Sequence, residues 1–412
     1  MAASSPLPIL VRKYGGSSLA TVDRIRAVAA DLAAKHAEGR PLVVVVSAMG
    51  RTTDELDHLA HQVSPHPARR ELDMLLSVGE RITMSLLCMA LTDLDVPALS
   101  LTGSQCGLIT DSSHTDARIL EVRPDRVRQA LESGRVVVVA GFQGVSRERE
   151  ITTLGRGGSD ATAVALAAAL GAERCEILKD VDGVFTADPH RVRDALRHAA
   201  LSYEEMEAIA GAGCGVVHHR AVSHAREHGV PLFVGSSFHD APGTLVTARP
   251  SRPKDPAAPG RWRPLTIVAH QDTALLEVSD LPTGAGALPT ELTDAVAACA
   301  PLAEWTRQDG RRQRWGVIGK AQDVSRLRDL LPPVGDTGRI LFQRGLACLS
   351  LAGPPPPSWL GTRARLDALL QRRGLDDVHV LATGGALHLQ LPPDDADALL
   401  PALHDLFHAD QA

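Results

Sequence analysis

Residues Lys13 to Ser18 read K-Y-G-G-S-S and directly follow a short apolar run. The glycines Gly15 and Gly16 let the backbone come close to a ligand, and the N–H groups of such a loop can cradle an anion. Lys13 would place a cation beside that cradle, which suits a phosphate. The spacing is not that of a P-loop, and a plain strand-to-helix turn with a surface lysine is the alternative. Lysine occurs at only five positions, so each one calls for an explanation.

A second glycine-rich segment, Thr152 to Asp160, reads T-T-L-G-R-G-G-S-D and leads into an alanine-rich helical pattern. Its glycines free the backbone, and Arg156 offers a planar fork of donors that fits a carboxylate or a phosphate. Asp160 falls at the predicted start of the helix, where capping is the ordinary role of an aspartate. Three glycines with an arginine and an aspartate between them indicate a ligand site in addition to a cap.

Three further segments carry groups suited to a substrate. Residues 43–53 place hydroxyl groups after a β-branched run, and residues 179–189 place three aspartates in a turn-rich loop. Glu80 lies inside the apolar stretch L-L-S-V-G-E-R. A carboxylate in such surroundings must be paired or must bind a cationic group.

The elements that would position these segments alternate between strands and helices over the first 245 residues. Strands that are apolar throughout are typical of a parallel sheet covered by helices on both faces. The pattern therefore predicts a three-layer α/β domain with a mainly parallel central sheet. Ligands bind at the carboxyl ends of such strands, where the glycine-rich loops fall. The predicted strands are 8–13, 41–46, 135–140, 175–178 and 231–234, and the predicted helices are 21–36, 71–91 and 161–170.

Residues 249–263 contain four prolines and one glycine, which predicts a linker. We therefore expect a first domain at 1–248 and a second region at 264–412. The second region mixes short alternating strands with helices, an α+β pattern that two similar units would give. Its predicted elements are strands at 274–278 and 347–351, helices at 289–298, 362–373 and 395–408, and an internal loop at 354–357.

Composition excludes several classes of function. The 412 residues carry a formal charge of −6 and only 3% aromatic side chains. Such a chain lacks the basic surface and the stacking platforms of nucleic-acid-binding proteins. We find no signal peptide and no apolar run of the ~20 residues that span a bilayer. The six cysteines form no C-x-x-C pair, which favours reduced thiols in a cytoplasmic protein.

Together these segments resemble the aspartate kinases of the amino acid kinase family. The resemblance implies the amino acid kinase fold, followed by tandem regulatory ACT-like domains. It is faint beyond residue 264, where it rests on ALLEV, ACLSLAG and LPALHDLFH. Over residues 9–246 it is carried, in order, by KYGGSS, VVSAMGRTTDEL, ELDMLLSVGERITMSLL, GFQGV, TTLGRGGSDATAVALAAALGA, DVDGVFTADP, LSYEEM, VVHHRAV and VGSSFHDAPGTLV.

The resemblance implies transfer of a phosphoryl group from ATP to the β-carboxylate of L-aspartate, which gives 4-phospho-L-aspartate. Because that carboxylate is already ionised, the enzyme must mainly orient two anions and neutralise the transferring group. Mg²⁺ would arrive with ATP and be held by phosphates and water, without an all-protein metal site. Arg156 would bind a carboxylate of the substrate, and Glu80 would bind its ammonium group.

The resemblance also assigns site residues. The implied catalytic residues are Lys13 and Asp160. The implied aspartate site comprises Ser47, Thr52, Thr53, Glu80, Arg156 and Ser159. The implied nucleotide site comprises Lys13, Gly15, Gly16, Ser17, Gly157, Gly158, Lys179, Asp180, Phe185 and His190.

Departures from the family pattern lie mainly on the nucleotide side. Lys179 and Asp180 stand where the family has Thr-Asp, Phe185 replaces a tyrosine, and His190 replaces an arginine. Gly215 stands where the family has a lysine. Lys179 restores one cation, either as a surface ion pair with Asp180 or as a substitute phosphate ligand. An adjusted ATP site, a slow specialised kinase and a degraded ATP site are all open.

Three functions therefore compete: an aspartate kinase, a non-catalytic regulatory subunit, and a kinase of another acid such as glutamate or acetylglutamate. The S-V-G-E and L-G-R-G-G-S-D segments favour aspartate. We expect a cytoplasmic homo-oligomer assembled through the ACT-like domains, with aspartate and ATP as ligands and no nucleic-acid or membrane partner. Feedback control should be weak, because the predicted effector loop at 279–290 keeps little of the family pattern. His218, His219, His224 and His228 lack a matched carboxylate or cysteine, which favours a solvated helix over a metal site.

Overall fold

Eight strands form a mainly parallel sheet in the first part of the chain. The computed structural model describes residues 7–248, 264–282, 296, 302–309, 312–331, 339–354, 359–375, 378–383 and 385–408. The order in the sheet is β10-β12-β11-β9-β1-β2-β6-β3, and a smaller four-stranded sheet has the order β5-β4-β7-β8. The strands are β1 (Leu10–Tyr14), β2 (Leu42–Val46), β3 (Ala98–Leu101), β4 (Leu108–Thr110), β5 (Ile119–Val122), β6 (Val136–Ala140), β7 (Gln143–Ser146), β8 (Ile151–Thr153), β9 (Arg174–Lys179), β10 (Ala200–Ser202), β11 (Leu232–Ser236) and β12 (Thr244–Thr247).

The central strands are buried on both faces because helices cover them. Every residue of β1, β2 and β6 is buried, which explains the uninterrupted valine runs. All neighbours in the large sheet pair in parallel except β11 with β12. The helices are α1 (Val22–Ala37), α2 (Thr52–Val63), α3 (Arg69–Leu76), α4 (Val78–Thr92), α5 (Asp125–Glu132), α6 (Gly158–Leu170), α7 (Tyr203–Gly211) and α8 (His219–His228).

Two helices show how the sequence sets these elements. Thr21 caps α1 by accepting a hydrogen bond from the Arg24 N–H, and the buried side chains of α1 recur at helical spacing. Helix α6 is apolar around most of its circumference and runs between two glycines in the left-handed conformation, Gly157 and Gly171. A helix of that kind is buried on all sides, as α6 is.

The predicted long helix over 71–91 is two consecutive helices, α3 and α4, which meet at Ser77. Together, residues 69–92 are long and apolar enough to cross a bilayer by length and composition, although the sequence analysis found no such run. In the structure, Met84, Leu87 and Leu91 of α4 lie in the apolar core beside the central sheet. This stretch is therefore a core element of the domain.

A six-stranded sheet, antiparallel throughout, forms the centre of the C-terminal part. Its order is β14-β15-β13-β16-β18-β17. One apolar cluster includes residues of α9, and another includes residues of α10 and α11, so the α+β pattern occurs twice. The elements are β13 (Thr266–Pro282), β14 (Ala303–Asp309), β15 (Arg312–Lys320), α9 (Ala321–Asp329), β16 (Arg339–Ala352), α10 (Leu360–Arg372), β17 (His379–Ala382), β18 (Ala386–Leu391) and α11 (Pro393–His408).

The chain divides into two units. The first comprises residues 1–184, 197–206 and 215–252, and the second comprises 185–196, 207–214 and 253–412. Two short segments of the predicted catalytic domain thus group with the second unit, and the predicted boundaries stay a prediction. The predicted linker, most of the predicted helix at 289–298, effector-loop residues 283–290 and loop residues 355–357 lie outside the described residues.

Candidate active site

The carboxyl ends of the central strands bring the glycine-rich loops together. The Gly15 N–H donates to the carbonyl of Leu178, at the end of β9, over 3.1 Å. The Gly50 N–H, beyond β2, donates to the carbonyl of Gly16 over 3.0 Å. A Cβ atom at Gly16 would lie 2.9 Å from the carbonyl oxygen of Ala48, so only glycine fits there. The backbone after β1 is therefore packed between the loops that follow β2 and β9.

A buried carboxylate at this edge holds two lysines. Asp160, in the first turn of α6, is 2% exposed, and Lys13, in β1, is 4% exposed. Lys13 Nζ lies 2.7 Å from Asp160 Oδ1, and Lys179 Nζ, at the end of β9, lies 3.6 Å from Asp160 Oδ2. The His218 N–H also donates to Oδ2, over 3.3 Å. Lys179 Nζ donates to the carbonyl of Gly215 over 3.2 Å.

The charges in this cluster fix its protonation. Burial by itself would raise the pKa of Asp160, but Lys13 and Lys179, with the hydrogen bonds from Lys13 and the His218 N–H, hold that pKa below its usual range. Asp160 is therefore an anion throughout the physiological pH range. Burial lowers the pKa of Lys13 from its ordinary value, against the raising effect of Asp160. With both lysines protonated, the cluster carries one positive charge more than Asp160 compensates, beside the backbone of Gly15. Such surroundings attract a phosphate.

Glu80 provides an anionic group on α4, close enough to Lys13 to feel its charge. Glu80 is 3% exposed, and its Oε1 accepts a hydrogen bond from the Ala48 N–H over 3.1 Å. Its Oε2 is buried and has no hydrogen-bond partner among the described residues. Burial raises the pKa of Glu80 to about 7, against the lowering effects of the backbone N–H groups and of Lys13. A buried oxygen without a partner is a fitting acceptor for a ligand's ammonium group.

Arg156 lies between two glycines whose backbone conformations other residues rarely adopt. Gly155 and Gly157 have φ values of +68° and +72°, in the left-handed region. A Cβ atom at Gly157 would lie 2.2 Å from Cβ of His218. Within the described residues, Arg156 is exposed and has no hydrogen bond or ion pair. Its guanidinium group is therefore available to a ligand.

The remaining predicted residues lie as follows. Ser47 follows β2, Thr52 and Thr53 begin α2, and all three are partly buried. Ser159 is buried in α6, where its Oγ would lie 2.7 Å from a Cβ atom at Gly141. Ser17 begins a short 3₁₀ turn after Gly16, Gly158 begins α6, and Asp180 is exposed beyond β9. Phe185 and His190 belong to the second unit, and their assignment to a nucleotide site stays a prediction.

Two ordinary roles that the sequence left open, a capping Asp160 and a Lys179–Asp180 ion pair, are not found in the structure. The N-cap position of α6 is Gly157, and Asp160 lies inside the helix, where its carboxylate faces Lys13 instead of capping the helix. Among the ion pairs of the described residues, Lys179 is paired with Asp160 and not with its neighbour Asp180. In both cases the partner lies far away along the chain.

Sequence reasoning also missed another buried carboxylate, Asp73, and an ion pair between Asp116 and Arg220. Asp73 is fully buried, and it lies in the same apolar stretch as Glu80, so the same signal was available. Arg220 binds Asp116 by two hydrogen bonds of 2.5 and 2.9 Å. These two residues are 104 positions apart, and neither carries a local signal.

The histidine cluster differs from its interpretation in one respect. His224, Glu227 and His228 of α8 bring their ligand atoms within 4.8 Å of one another, so Glu227 supplies the carboxylate that the sequence analysis did not find. Glu227 and His228 are exposed, and all three residues lie on one helix. The prediction that the protein has no metal site of its own stays a prediction. None of the cysteines in the described ranges forms a disulfide.

A model of the amino acid kinase family matches residues 8–236, and the chain therefore belongs to that family. The aspartokinase of a Thermus thermophilus strain is 38% identical over 409 residues, which cover 98% of this chain and 100% of that protein. By this full-length similarity, the chain groups with the aspartokinases inside the family.

Two further comparisons agree. The aspartokinase of Mycobacterium tuberculosis is 54% identical over 241 residues, which are 58% of this chain and 57% of that protein. At that level of identity the match spans little more than half of either chain. The crystal structure of Escherichia coli aspartokinase III in complex with aspartate and ADP has the same fold, with a TM-score of 0.72, 22% identity, and coverage of 97% of this chain and 99% of that one.

Proposed function

We propose that the protein transfers the γ-phosphoryl group of ATP to the β-carboxylate of L-aspartate. One observation carries this proposal: the Lys13–Asp160–Lys179 cluster, with its excess positive charge, lies near the buried, unpartnered oxygen of Glu80. The cluster suits the phosphates of the donor, and Glu80 suits the ammonium group of an amino acid acceptor. The names of the full-length relatives support the same reaction.

In the proposed reaction, a β-carboxylate oxygen of aspartate attacks the γ-phosphorus, and the bond from that phosphorus to the bridging oxygen of ADP breaks. No proton moves, because the attacking carboxylate is already ionised. Lys13 neutralises the charge on the transferring group, Asp160 holds Lys13 and Lys179 in place, and Lys179 adds a second cation for the phosphates. Glu80 and Arg156 hold the ammonium group and a carboxylate of aspartate.

Mg²⁺ fits this site as a partner of ATP. The buried carboxylate of Asp160 is flanked by the ammonium groups of Lys13 and Lys179, whose charges disfavour a metal cation there. Phosphates, water and the exposed carboxylate of Asp180 are the oxygen ligands that remain. When bound, Mg²⁺ would supply further positive charge beside the phosphates.

The experiment that tests the proposal traps the acyl phosphate with hydroxylamine. The purified protein is incubated with ATP, Mg²⁺ and one of three acceptors: aspartate, glutamate or acetylglutamate. We expect a hydroxamate with aspartate only, and none when ATP is omitted. Binding of ATP without any hydroxamate would contradict catalysis and would favour a non-catalytic subunit. A product with one of the other acids would overturn the choice of substrate.

Arg156 gives the first prediction. We expect Arg156→Lys to raise the KM for aspartate about fivefold and to leave the KM for ATP within twofold. The reason is that an ammonium group cannot copy the two parallel hydrogen bonds that a guanidinium group donates to a carboxylate. Steady-state kinetics with each substrate varied in turn measures both constants. Equal increases in the two constants would contradict the assignment of Arg156 to the acceptor.

Lys179 gives the second prediction. We expect Lys179→Thr to weaken ATP binding about tenfold, or roughly 1.4 kcal/mol, and to leave aspartate binding unchanged. Lys179 Nζ donates a hydrogen bond to the carbonyl of Gly215, the position where the resemblance places a lysine. The ammonium group therefore comes from a different residue but lies beside the same part of the backbone. Calorimetric titration of ATP into wild type and variant measures the effect.

The second variant, Lys179→Thr with Gly215→Lys, should recover part of that loss. Among the residues that the structure describes, no heavy atom beyond the adjoining residues lies within 4 Å of a Cβ atom at Gly215, so a side chain has room. The φ of Gly215 is +71°, which strains any other residue, so recovery is expected to be incomplete. Unchanged ATP affinity in Lys179→Thr would show that Lys179 only balances the charge of Asp160.

We further propose that the second unit is a tandem ACT-like regulatory region and that the protein is a cytoplasmic homo-oligomer assembled through it. The support is the antiparallel sheet with two apolar clusters, one at α9 and one at α10 and α11. The expectation of weak feedback is kept with this proposal. Activity measured with millimolar lysine and threonine, alone and together, tests it.

A further inference from the structure

A fully buried carboxylate outside the Lys13 cluster ties three segments of the first unit together. Asp73 of α3 is 0% exposed. Its Oδ1 accepts hydrogen bonds from Thr153 Oγ1 over 2.5 Å and from the Thr115 N–H over 3.0 Å. Its Oδ2 lies 2.6 Å from His114 Nδ1, which donates to it. Asp73 therefore fixes the loop between β4 and β5 to α3 and to the end of β8.

The segment held by Asp73 is strained. Thr115 has a φ of +70°, a conformation that β-branched residues avoid. Its N–H is bound to Asp73, and its Oγ1 donates to the carbonyl of His114 over 2.6 Å. Backbone strain of this kind persists only where the surroundings enforce it, and it clusters at functional sites.

The strained segment packs against one side of the loop that carries Arg156. A Cβ atom at Gly155 would lie 3.2 Å from the carbonyl oxygen of Thr115 and 2.7 Å from Asp116 Oδ1. Asp116 is itself fixed, because its two oxygens are bound by the guanidinium group of Arg220. Gly155 is therefore in contact with Thr115 and Asp116 immediately before Arg156 in the chain.

The start of α8 packs against the other side of this loop. Gly157, on the far side of Arg156, is packed so closely against His218 that a Cβ atom there would overlap it. Arg220 is two residues beyond His218, so the Asp116–Arg220 ion pair connects the two segments that flank the Arg156 loop. Arg156, exposed and unpaired within the described residues, thus projects from a backbone that is fixed on both sides.

We propose that Asp73 and Asp116 are positioning residues that act through Thr115 and Gly155 to orient Arg156, and hence the carboxylate of the amino acid substrate. This inference rests on the proposed function, in which Arg156 binds that carboxylate. Neither aspartate touches the substrate. A fixed guanidinium group loses less conformational freedom when it binds. Its affinity for a carboxylate therefore depends on the residues that hold the Arg156 loop in place.

The strain itself provides a test that separates positioning from stability. In Thr115→Gly the left-handed conformation is no longer strained, so we expect the midpoint of thermal unfolding to rise by roughly 2 °C. The released loop should at the same time raise the KM for aspartate about fivefold and leave the KM for ATP unchanged. A purely structural role predicts the gain in stability without the change in KM.

The matched control is Asp95→Gly. Asp95 is an exposed residue in the turn between α4 and β3, with a φ of +57°. It offers a smaller relief of strain, because aspartate tolerates the left-handed conformation better than a β-branched residue, and it lies far from the Arg156 loop along the chain. We expect this variant to gain stability with unchanged kinetics.

The second variant, Asp116→Ala, removes the link to Arg220 at a partly exposed position, where the fold tolerates the change. We expect the KM for aspartate to rise about tenfold, with kcat and the KM for ATP within twofold. An unchanged aspartate KM in both Thr115→Gly and Asp116→Ala, with an active wild type, overturns the positioning role and leaves the proposed function intact. If the wild type forms no aspartyl hydroxamate, the proposed function fails, and calorimetric aspartate affinities of the same variants decide the positioning role.

Discussion

Replacing Lys13 by alanine is expected to lower kcat about a thousandfold, or roughly 4 kcal/mol in activation free energy. Lys13 is buried against Asp160, and in the proposed reaction it neutralises the transferring phosphoryl group. A fixed cation in a buried site stabilises developing negative charge without reorganisation. The KM for aspartate should change far less than kcat, because Glu80 and Arg156 stay in place.

The matched control is Lys35→Ala. Lys35 is a partly exposed lysine of α1, paired with Glu38 over 3.6 Å, and its loss should leave kcat unchanged. Circular dichroism and thermal unfolding must show that Lys13→Ala is folded, since it leaves Asp160 with Lys179 as its cation. A folded Lys13→Ala enzyme with near-normal kcat would remove Lys13 from the mechanism.

Replacing Glu80 by glutamine is expected to raise the KM for aspartate about a hundredfold. The carboxylate oxygen without a partner would become an amide, which cannot neutralise the ammonium group of aspartate, and losing one partner of a buried pair costs about 3 kcal/mol. The KM for ATP should stay within twofold. Steady-state kinetics at pH 8 measures both constants, and an unchanged aspartate KM would contradict the role of Glu80.

The same variant should be more stable than the wild type above pH 7. The folded-state pKa of Glu80 is about 7, against an ordinary value of 4.5. The folded protein therefore binds more protons than the unfolded chain between these values, and its stability falls as the pH rises through that window, by about 3 kcal/mol in total. Glu80→Gln removes this cost, so the midpoint of unfolding should rise at pH 8 and match the wild type at pH 4. If Glu80→Gln were less stable than the wild type at pH 8, the conclusion that the charged Glu80 carboxylate destabilises the ligand-free protein would be wrong.

In the wild type, the KM for aspartate should rise as the pH falls below 7. Protonated Glu80 cannot bind an ammonium group, and Glu80→Gln should lack this dependence. The pH dependence, the loss of affinity and the gain in stability share one cause, which is a buried charge kept for a ligand.

The sequence predicted those parts of the fold and the site that carry a local signal. The valine runs of β2 and β6 are apolar because both faces are covered, so their burial and parallel pairing could be predicted. Strands β4, β5, β7 and β8 have only three or four residues each and escaped notice, because so short a run shows no period. Lys13, Glu80 and Asp160 were found because each is a charged residue in an apolar or glycine-rich setting.

Pairings over long sequence separation could not be predicted in the same way. For Lys179 the sequence offered an ion pair with its neighbour Asp180 or a phosphate ligand, and it gave no sign of Asp160, which the structure pairs with Lys179 because β9 and α6 meet at one edge of the sheet. The contact of Asp73 with Thr115 spans 42 positions and decides the conformation of a loop that looks ordinary in the sequence. Such contacts depend on the order of the strands, which composition and spacing do not determine.

The position of β1 in the sheet has a consequence for synthesis on the ribosome. Lys13 is in register with Val45 of β2 on one side and with Ile177 of β9 on the other. At roughly 5–20 residues per second, the second neighbour emerges on the order of ten seconds after the first. Until then β1 has an open, apolar edge that can pair with another nascent chain. Slower growth at low temperature, or a chaperone that shields this edge, should therefore raise the yield of folded protein. The Lys13–Asp160–Lys179 cluster is completed only once Lys179 has left the exit tunnel.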